Sequence, residues 1–80
     1  MFFGIIIRMY YDDHNPPHIH AYYSNNEAIL TFDGKIINGY LPKKQLKLVE
    51  AWIIIHIKEL EANWQLSKNC EKLFDIQPLS

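Results

Sequence analysis

The chain has 80 residues and a formal net charge of −1, with 49% hydrophobic and 21% charged residues. This balance predicts a single globular domain over residues 1–80 and excludes a disordered chain. The near-neutral charge argues against a strong nonspecific DNA-binding protein, and one cysteine, Cys70, excludes an internal disulfide. No apolar run reaches the roughly 20 residues of a membrane-spanning helix, so we expect a cytoplasmic protein with no membrane contact.

Alternating β-branched and aromatic residues in the first half of the chain predict four strands joined by short connections. The predicted strands are Phe3–Tyr11, about His18–Tyr23, Glu27–Phe32 and Lys35–Leu41. Ser24-Asn25-Asn26 is a turn signal, and Asp33-Gly34 predicts a two-residue hairpin turn. Gly39 marks a candidate bulge in the fourth strand.

The second half of the chain predicts one long helix. Its apolar residues recur at three- and four-residue steps, and neither Gly nor Pro interrupts them before Pro78. The helix is predicted to begin with Pro42 at its first position and to end near Ser67–Asn69. Leu73–Ile76 predict a short extended tail. The predicted fold is therefore α+β, a four-stranded antiparallel meander followed by one long C-terminal helix packed on the sheet.

The middle of the predicted helix is apolar nearly all round, because Ile54 and Ile55 lie outside its main apolar stripe. Either the tail or another subunit must cover this second side. If another subunit covers it, we expect a homodimer through the helix or a cognate small protein partner. His56, on the main stripe, is interpreted as a core histidine.

Three of the four histidines follow the first predicted strand closely. His18 and His20 are two residues apart on a predicted strand, so both side chains leave the same face, as does that of Tyr22. If the apolar faces of the first two strands match, Arg8 and Tyr10 share this face. The sequence thus predicts a cluster of two imidazoles, one guanidinium and two phenols.

One interpretation of this cluster is a metal site. His18 and His20 could present two neutral nitrogens to a divalent cation such as zinc, with Asp13 or His14 completing the ligand set. A structural interpretation also stands, in which the histidines are solvated polar surface and Pro16-Pro17 makes the connection rigid.

A second chemical interpretation is acid–base catalysis without a metal. His18 and His20 would act as general acid and base in phosphodiester cleavage of RNA, and Arg8 would stabilise the charge that develops on the phosphate. Tyr10 and Tyr22 would then help to bind the substrate.

Lys43, Lys44 and Lys47 crowd the predicted start of the helix, where backbone N–H groups also favour an anion. Lys43 and Lys44 are therefore candidate contacts for nucleic-acid phosphates or an acidic partner. The alternative is a solvated face that contributes only solubility.

Several short segments of the sequence also resemble those of a known protein family. Met9-Tyr10, Asp13–Ala21 (DHNPPHIHA), Leu41-Pro42 and Asn63-Trp64 resemble the small bacterial family catalogued as domain of unknown function 4160. The resemblance implies small cytosolic proteins whose genes often neighbour a second small gene, in the manner of toxin–antitoxin pairs. It implies no established activity, substrate or cofactor.

Overall fold

The computed structural model describes residues 2–10 and 14–69. Its elements, in chain order, are β1 (Ile5–Arg8), β2 (His18–Tyr23), β3 (Asn26–Thr31), β4 (Ile36–Gly39), α1 (Lys43–Ile55) and α2 (Ile57–Lys68). The strands form one antiparallel sheet in the order β1-β2-β3-β4. The prediction of an α+β meander is confirmed, whereas the predicted tail lies outside the described residues.

The prediction that β1 begins at Phe3 is wrong. Phe3 and Gly4 have φ angles of 48° and 77°, and Phe2 and Ile5 exchange two backbone hydrogen bonds of 3.0 and 2.7 Å across them. A tight two-residue turn therefore precedes the strand. The turn returns Phe2 to the core, where its ring stacks on Trp52 with a centroid separation of 5.9 Å.

The β3–β4 connection is one residue longer than the predicted Asp33-Gly34 turn. The Thr31 N–H donates to the Lys35 carbonyl, and the Gly34 N–H donates to the Thr31 carbonyl, both at 2.9 Å. Gly34 has φ +84°, so the loop is the three-residue type with a left-handed residue at its end. Phe32 leaves the strand and packs edge-on against Trp64, with ring centroids 6.2 Å apart.

A bulge interrupts β4, two residues before the predicted one. Ile36 pairs with Leu30 and Asn38 pairs with Ile29, so Ile37 is an extra residue in the ladder. Gly39 instead ends the strand with φ +81°.

The predicted single helix is wrong, since two helices meet at His56. The three preceding residues, Ile53–Ile55, are β-branched and have reduced helix propensity. His56 has φ −111° and ψ 22°, and its Nδ1 donates to the Glu59 carboxylate at 2.8 Å. This local hydrogen bond favours a new helix start. Pro42 precedes α1 as its cap residue and is not the first helical residue.

One face of the sheet and the inner faces of both helices form the core. Its buried hydrophobic residues include Ile5, Ile19, Ala21, Ala28, Leu30, Val49, Trp52, Ile53 and Leu60. The residues that alternate with them on the strands point to the opposite face of the sheet. Within residues 2–10 and 14–69, no helix has the length and apolar content needed to cross a membrane.

Candidate functional site on the histidine face of the sheet

The register of the strands places the candidate residues on one face. Arg8 lies opposite His20 in the β1–β2 ladder, and directly opposed residues share a face in an antiparallel pair. Tyr22 lies two residues beyond His20, and Glu27 of β3 is the partner of Tyr22. We call this surface the histidine face and define it by Arg8, Tyr10, His18, His20, Tyr22 and Glu27.

The two imidazole rings lie side by side, with centroids 5.2 Å apart. His18 Nδ1 lies 2.7 Å from the Pro16 carbonyl oxygen, and His20 Nδ1 lies 3.2 Å from Glu27 Oε2. A carbonyl and a carboxylate only accept hydrogen bonds, so each ring carries a proton on Nδ1. In the neutral form of each ring, Nε2 is therefore the basic nitrogen.

The two tyrosines are joined through their hydroxyl groups. Tyr10 Oη and Tyr22 Oη lie 2.6 Å apart, and the Tyr10 ring meets the His20 ring edge-on at 4.6 Å. Tyr10 lies beyond the end of β1, so these contacts fix the chain where it leaves the strand. The phenols and His20 therefore form one connected polar group.

The pKa of the Tyr22 hydroxyl is raised above its usual value near 10. The hydrogen bond with Tyr10 is the main cause, followed by desolvation and by the negative charge of Glu27. The Tyr22 hydroxyl therefore stays protonated throughout the physiological range and remains a hydrogen-bond donor.

The raised pKa predicts that the Tyr22 hydroxyl ionises in a separate alkaline step, which one substitution should remove. A raised folded-state pKa contributes stability that is fully present below pH 10 and is lost as pH rises through the folded pKa. In the wild type, tyrosinate absorbance should show a late step above pH 10. Tyr22→Phe should abolish this step, and Tyr40→Phe, at a side chain that is 61% exposed, should retain it. Identical titrations of Tyr22→Phe and the wild type would contradict the assignment.

Trp64 closes the end of the histidine face where β2 begins. Its ring centroid lies 5.3 Å from that of His18, and both residues are buried. The Ser67 hydroxyl donates to the Trp64 carbonyl at 2.7 Å, which adds a side-chain contact within this turn of α2. His18 is thus held between Trp64, the neighbouring His20 ring and the Pro16 carbonyl.

The structure does not bring Lys43 and Lys44 to the histidines. They begin α1 after β4, whose last residue, Gly39, pairs with Ala28 near the start of β3. His18 pairs with Thr31 at the opposite end of β3. The two lysines instead line an open cleft together with Lys47 and Leu48.

The part of the chain that the structure describes supplies no third ligand for a metal site at His18 and His20. Within this described part, no three His, Cys, Asp or Glu side chains form a group that could hold a metal ion. His14 therefore does not complete a set with His18 and His20. Asp13 lies outside the described residues, so a ligand set that includes Asp13 stays a prediction.

Sequence reasoning missed Glu27, the carboxylate that contacts His20. The three-residue turn predicted at Ser24-Asn25-Asn26 obscured the pairing, because the actual turn leaves Asn26 paired with Tyr23. Counting from a two-residue turn would have put Glu27 opposite Tyr22, diagonal to His20.

Comparison with known proteins assigns the chain to a family. The family model described as "Domain of unknown function (DUF4160)" matches residues 4–65. The chain belongs to this family. The matched span of the DUF4160 domain includes β1 to β4, α1 and most of α2, and therefore every residue of the histidine face. No curated protein and no solved structure matches the chain significantly.

Proposed function

We propose that this DUF4160 protein acts on RNA as a component of a toxin–antitoxin-type module, cleaving phosphodiester bonds by acid–base catalysis at the histidine face. The observation that carries the proposal is the pair of imidazoles 5.2 Å apart with both Nδ1 atoms engaged as donors. Such a pair directs the chemistry of both rings to Nε2. RNA suits this pair because its 2′-hydroxyl supplies the nucleophile, so the protein needs to provide only proton transfer and charge stabilisation.

The partners of the two rings suggest how the roles divide. His20 contacts the Glu27 carboxylate, which compensates the charge of an imidazolium, whereas His18 contacts the neutral Pro16 carbonyl. In the proposed step, His18 Nε2 takes the proton of the 2′-hydroxyl as its oxygen bonds to phosphorus. The bond from phosphorus to the 5′-oxygen breaks, and the His20 imidazolium protonates that oxygen.

Two further groups on this face are suited to bind the phosphate of the substrate. Arg8 is exposed and lies opposite His20, so its guanidinium is suited to stabilise the equatorial oxygens in the transition state. The Tyr22 hydroxyl, held protonated, donates its proton to Tyr10, so the Tyr10 hydroxyl keeps its own proton and is suited to donate a hydrogen bond to the substrate. Arg8 also offsets the repulsion between Glu27 and an approaching phosphate.

The direct test is RNA cleavage by purified protein, alongside growth inhibition when the protein is expressed. We expect fragments that end in a 2′,3′-cyclic phosphate, because the 2′-oxygen is the attacking atom. Intact RNA and unaffected growth would contradict the proposal. Fragments ending in a 5′-phosphate would contradict the proposed mechanism.

A second candidate function, a non-catalytic module that binds a protein partner, is favoured by a different surface. Ile54 and Ile55 at the end of α1 are 75% and 60% exposed. Two adjacent isoleucines at this exposure form an apolar patch of the kind found at protein–protein contacts. We propose that this patch contacts a second copy of the chain or the cognate partner.

This proposal predicts an assembly that depends on α1. Sedimentation at micromolar concentration should give a species larger than a monomer, and Ile54→Lys with Ile55→Glu should reduce it to a monomer. Because both side chains are exposed on the isolated chain, the free energy of unfolding should change by no more than about 0.5 kcal/mol apart from the stabilisation that the assembly itself provides. Lys58→Glu, at an exposed position of α2, serves as the control and should leave the assembly intact. A wild-type protein that sediments as a monomer would contradict self-association.

A further inference from the structure

A cleft of about 450 Å³ adjoins the histidine face at its His18 end. Its volume lies in the range of small-molecule sites. The apolar part of its lining comes from Pro16, Pro17, Phe32 and Trp64. The cleft and the histidine face share two residues of their walls. The Pro16 carbonyl accepts the hydrogen bond from His18, and the Trp64 ring contacts the His18 ring.

The composition of the lining fits a planar, hydrogen-bonding ligand. Proline and aromatic rings provide apolar surface against which a nucleobase can stack. Asp33, from the β3–β4 loop, and Glu61, from α2, add carboxylates to the lining, and both residues are exposed. Thr31 and Gln65 complete the lining with side chains that can donate or accept, whereas the two carboxylates only accept. The carboxylates therefore favour a ring that carries several N–H donors along one side.

Guanine is the base that matches these acceptors. Its Watson–Crick edge presents the N1–H and an N2–H side by side, which one carboxylate can accept with both oxygens. Adenine and cytosine present one amino group beside an acceptor nitrogen, and the uracil N3–H lies between two carbonyl oxygens that repel a carboxylate. The edge of guanine therefore gains the most from Asp33 or Glu61.

We propose that this cleft binds the guanine base of single-stranded RNA next to the phosphate that the histidine face would cleave. The proposal rests on the RNA-directed function proposed above, and it names the substrate preference of that site. Trp64 connects the two parts, since its ring lines the cleft and also contacts His18. Cleavage should accordingly occur next to guanosines.

The test measures binding separately from cleavage. Guanosine, adenosine, cytidine and uridine 3′-monophosphates are titrated into the wild type and into His20→Ala by calorimetry. We expect the guanosine nucleotide to bind at least about tenfold more tightly than the others, with the same order of preference in both proteins. Asp33→Asn or Glu61→Gln should remove this preference. Glu50→Gln, the same charge change on α1 outside the cleft lining, should retain it.

The outcomes separate the two proposals. A guanine preference without RNA cleavage would contradict the catalytic function alone and would leave the base site supported. Cleavage that shows no preference for guanosine would overturn the guanine site alone. Equal affinities for the four nucleotides, or a preference that survives both Asp33→Asn and Glu61→Gln, would likewise overturn it.

Discussion

Replacing His20 or His18 with alanine is expected to lower the rate of RNA cleavage by roughly 10²–10⁴-fold. Each substitution removes one of the two proton-transfer groups, and neither remaining ring can replace it at the other end of the same phosphodiester. The double variant should lose little more than either single variant, because the two groups act as a unit. Cleavage of a short labelled RNA under single-turnover conditions measures the effect.

The control for these substitutions is His56→Gln, which changes the histidine between α1 and α2 that pairs with Glu59. This variant should cleave RNA at the wild-type rate, and circular dichroism should show that all variants fold. Activity of the double alanine variant equal to that of the wild type would contradict the acid–base mechanism. Loss of wild-type activity on adding a metal chelator would favour the metal interpretation instead.

Gly39→Ala is expected to destabilise the fold by about 2–5 kcal/mol, a large part of the stability of a small domain. At φ +81°, an L-residue is strained by about 1–2 kcal/mol. A Cβ at Gly39 would also overlap the Glu27 carbonyl oxygen, which accepts a 2.9 Å hydrogen bond from the Tyr40 N–H. Relieving this overlap requires β3 and β4 to separate, at a further cost of about 1–3 kcal/mol.

Gly34→Ala is the matched control, because Gly34 has nearly the same φ angle, +84°. There a Cβ would meet the Glu50 side chain at 3.5 Å, an ordinary contact, so only the backbone strain of about 1–2 kcal/mol remains. Urea unfolding of the two variants isolates the cost of the overlap. Equal losses of stability would show that the Glu27 carbonyl does not restrict this position.

The class of fold could be predicted from the sequence because the period of the apolar residues differs between its two halves. The element ends could not, since local turn chemistry decided them. Alternation from Phe3 onward has the pattern of a strand, yet the adjacent Gly4 allows a turn that returns Phe2 to Trp52. Likewise, a helical period continues through His56, whereas the hydrogen bond to Glu59 begins a second helix.

The candidate site could be predicted in part because side chains two residues apart on a strand share a face. This rule, with matching of apolar faces, placed Arg8 and Tyr10 beside His18 and His20. It could not supply Trp64 or Glu27, since these depend on the path of α2 and on the length of the turn before β3. The separation of Lys43 and Lys44 from the histidines also follows from topology, which charge patterning does not reveal.

The bulge at Ile37 has a consequence for how the protein behaves at high concentration. β1 and β4 are the two edge strands of the sheet, and both are short and rich in isoleucine. Long, flat, apolar edges recruit strands from other molecules and lead to aggregation. The extra residue in β4 twists that edge and breaks its regular row of hydrogen-bonding groups, while Arg8 places a charge on the other edge. Deleting Ile37 should therefore favour intermolecular strand pairing and lower the solubility of the folded chain.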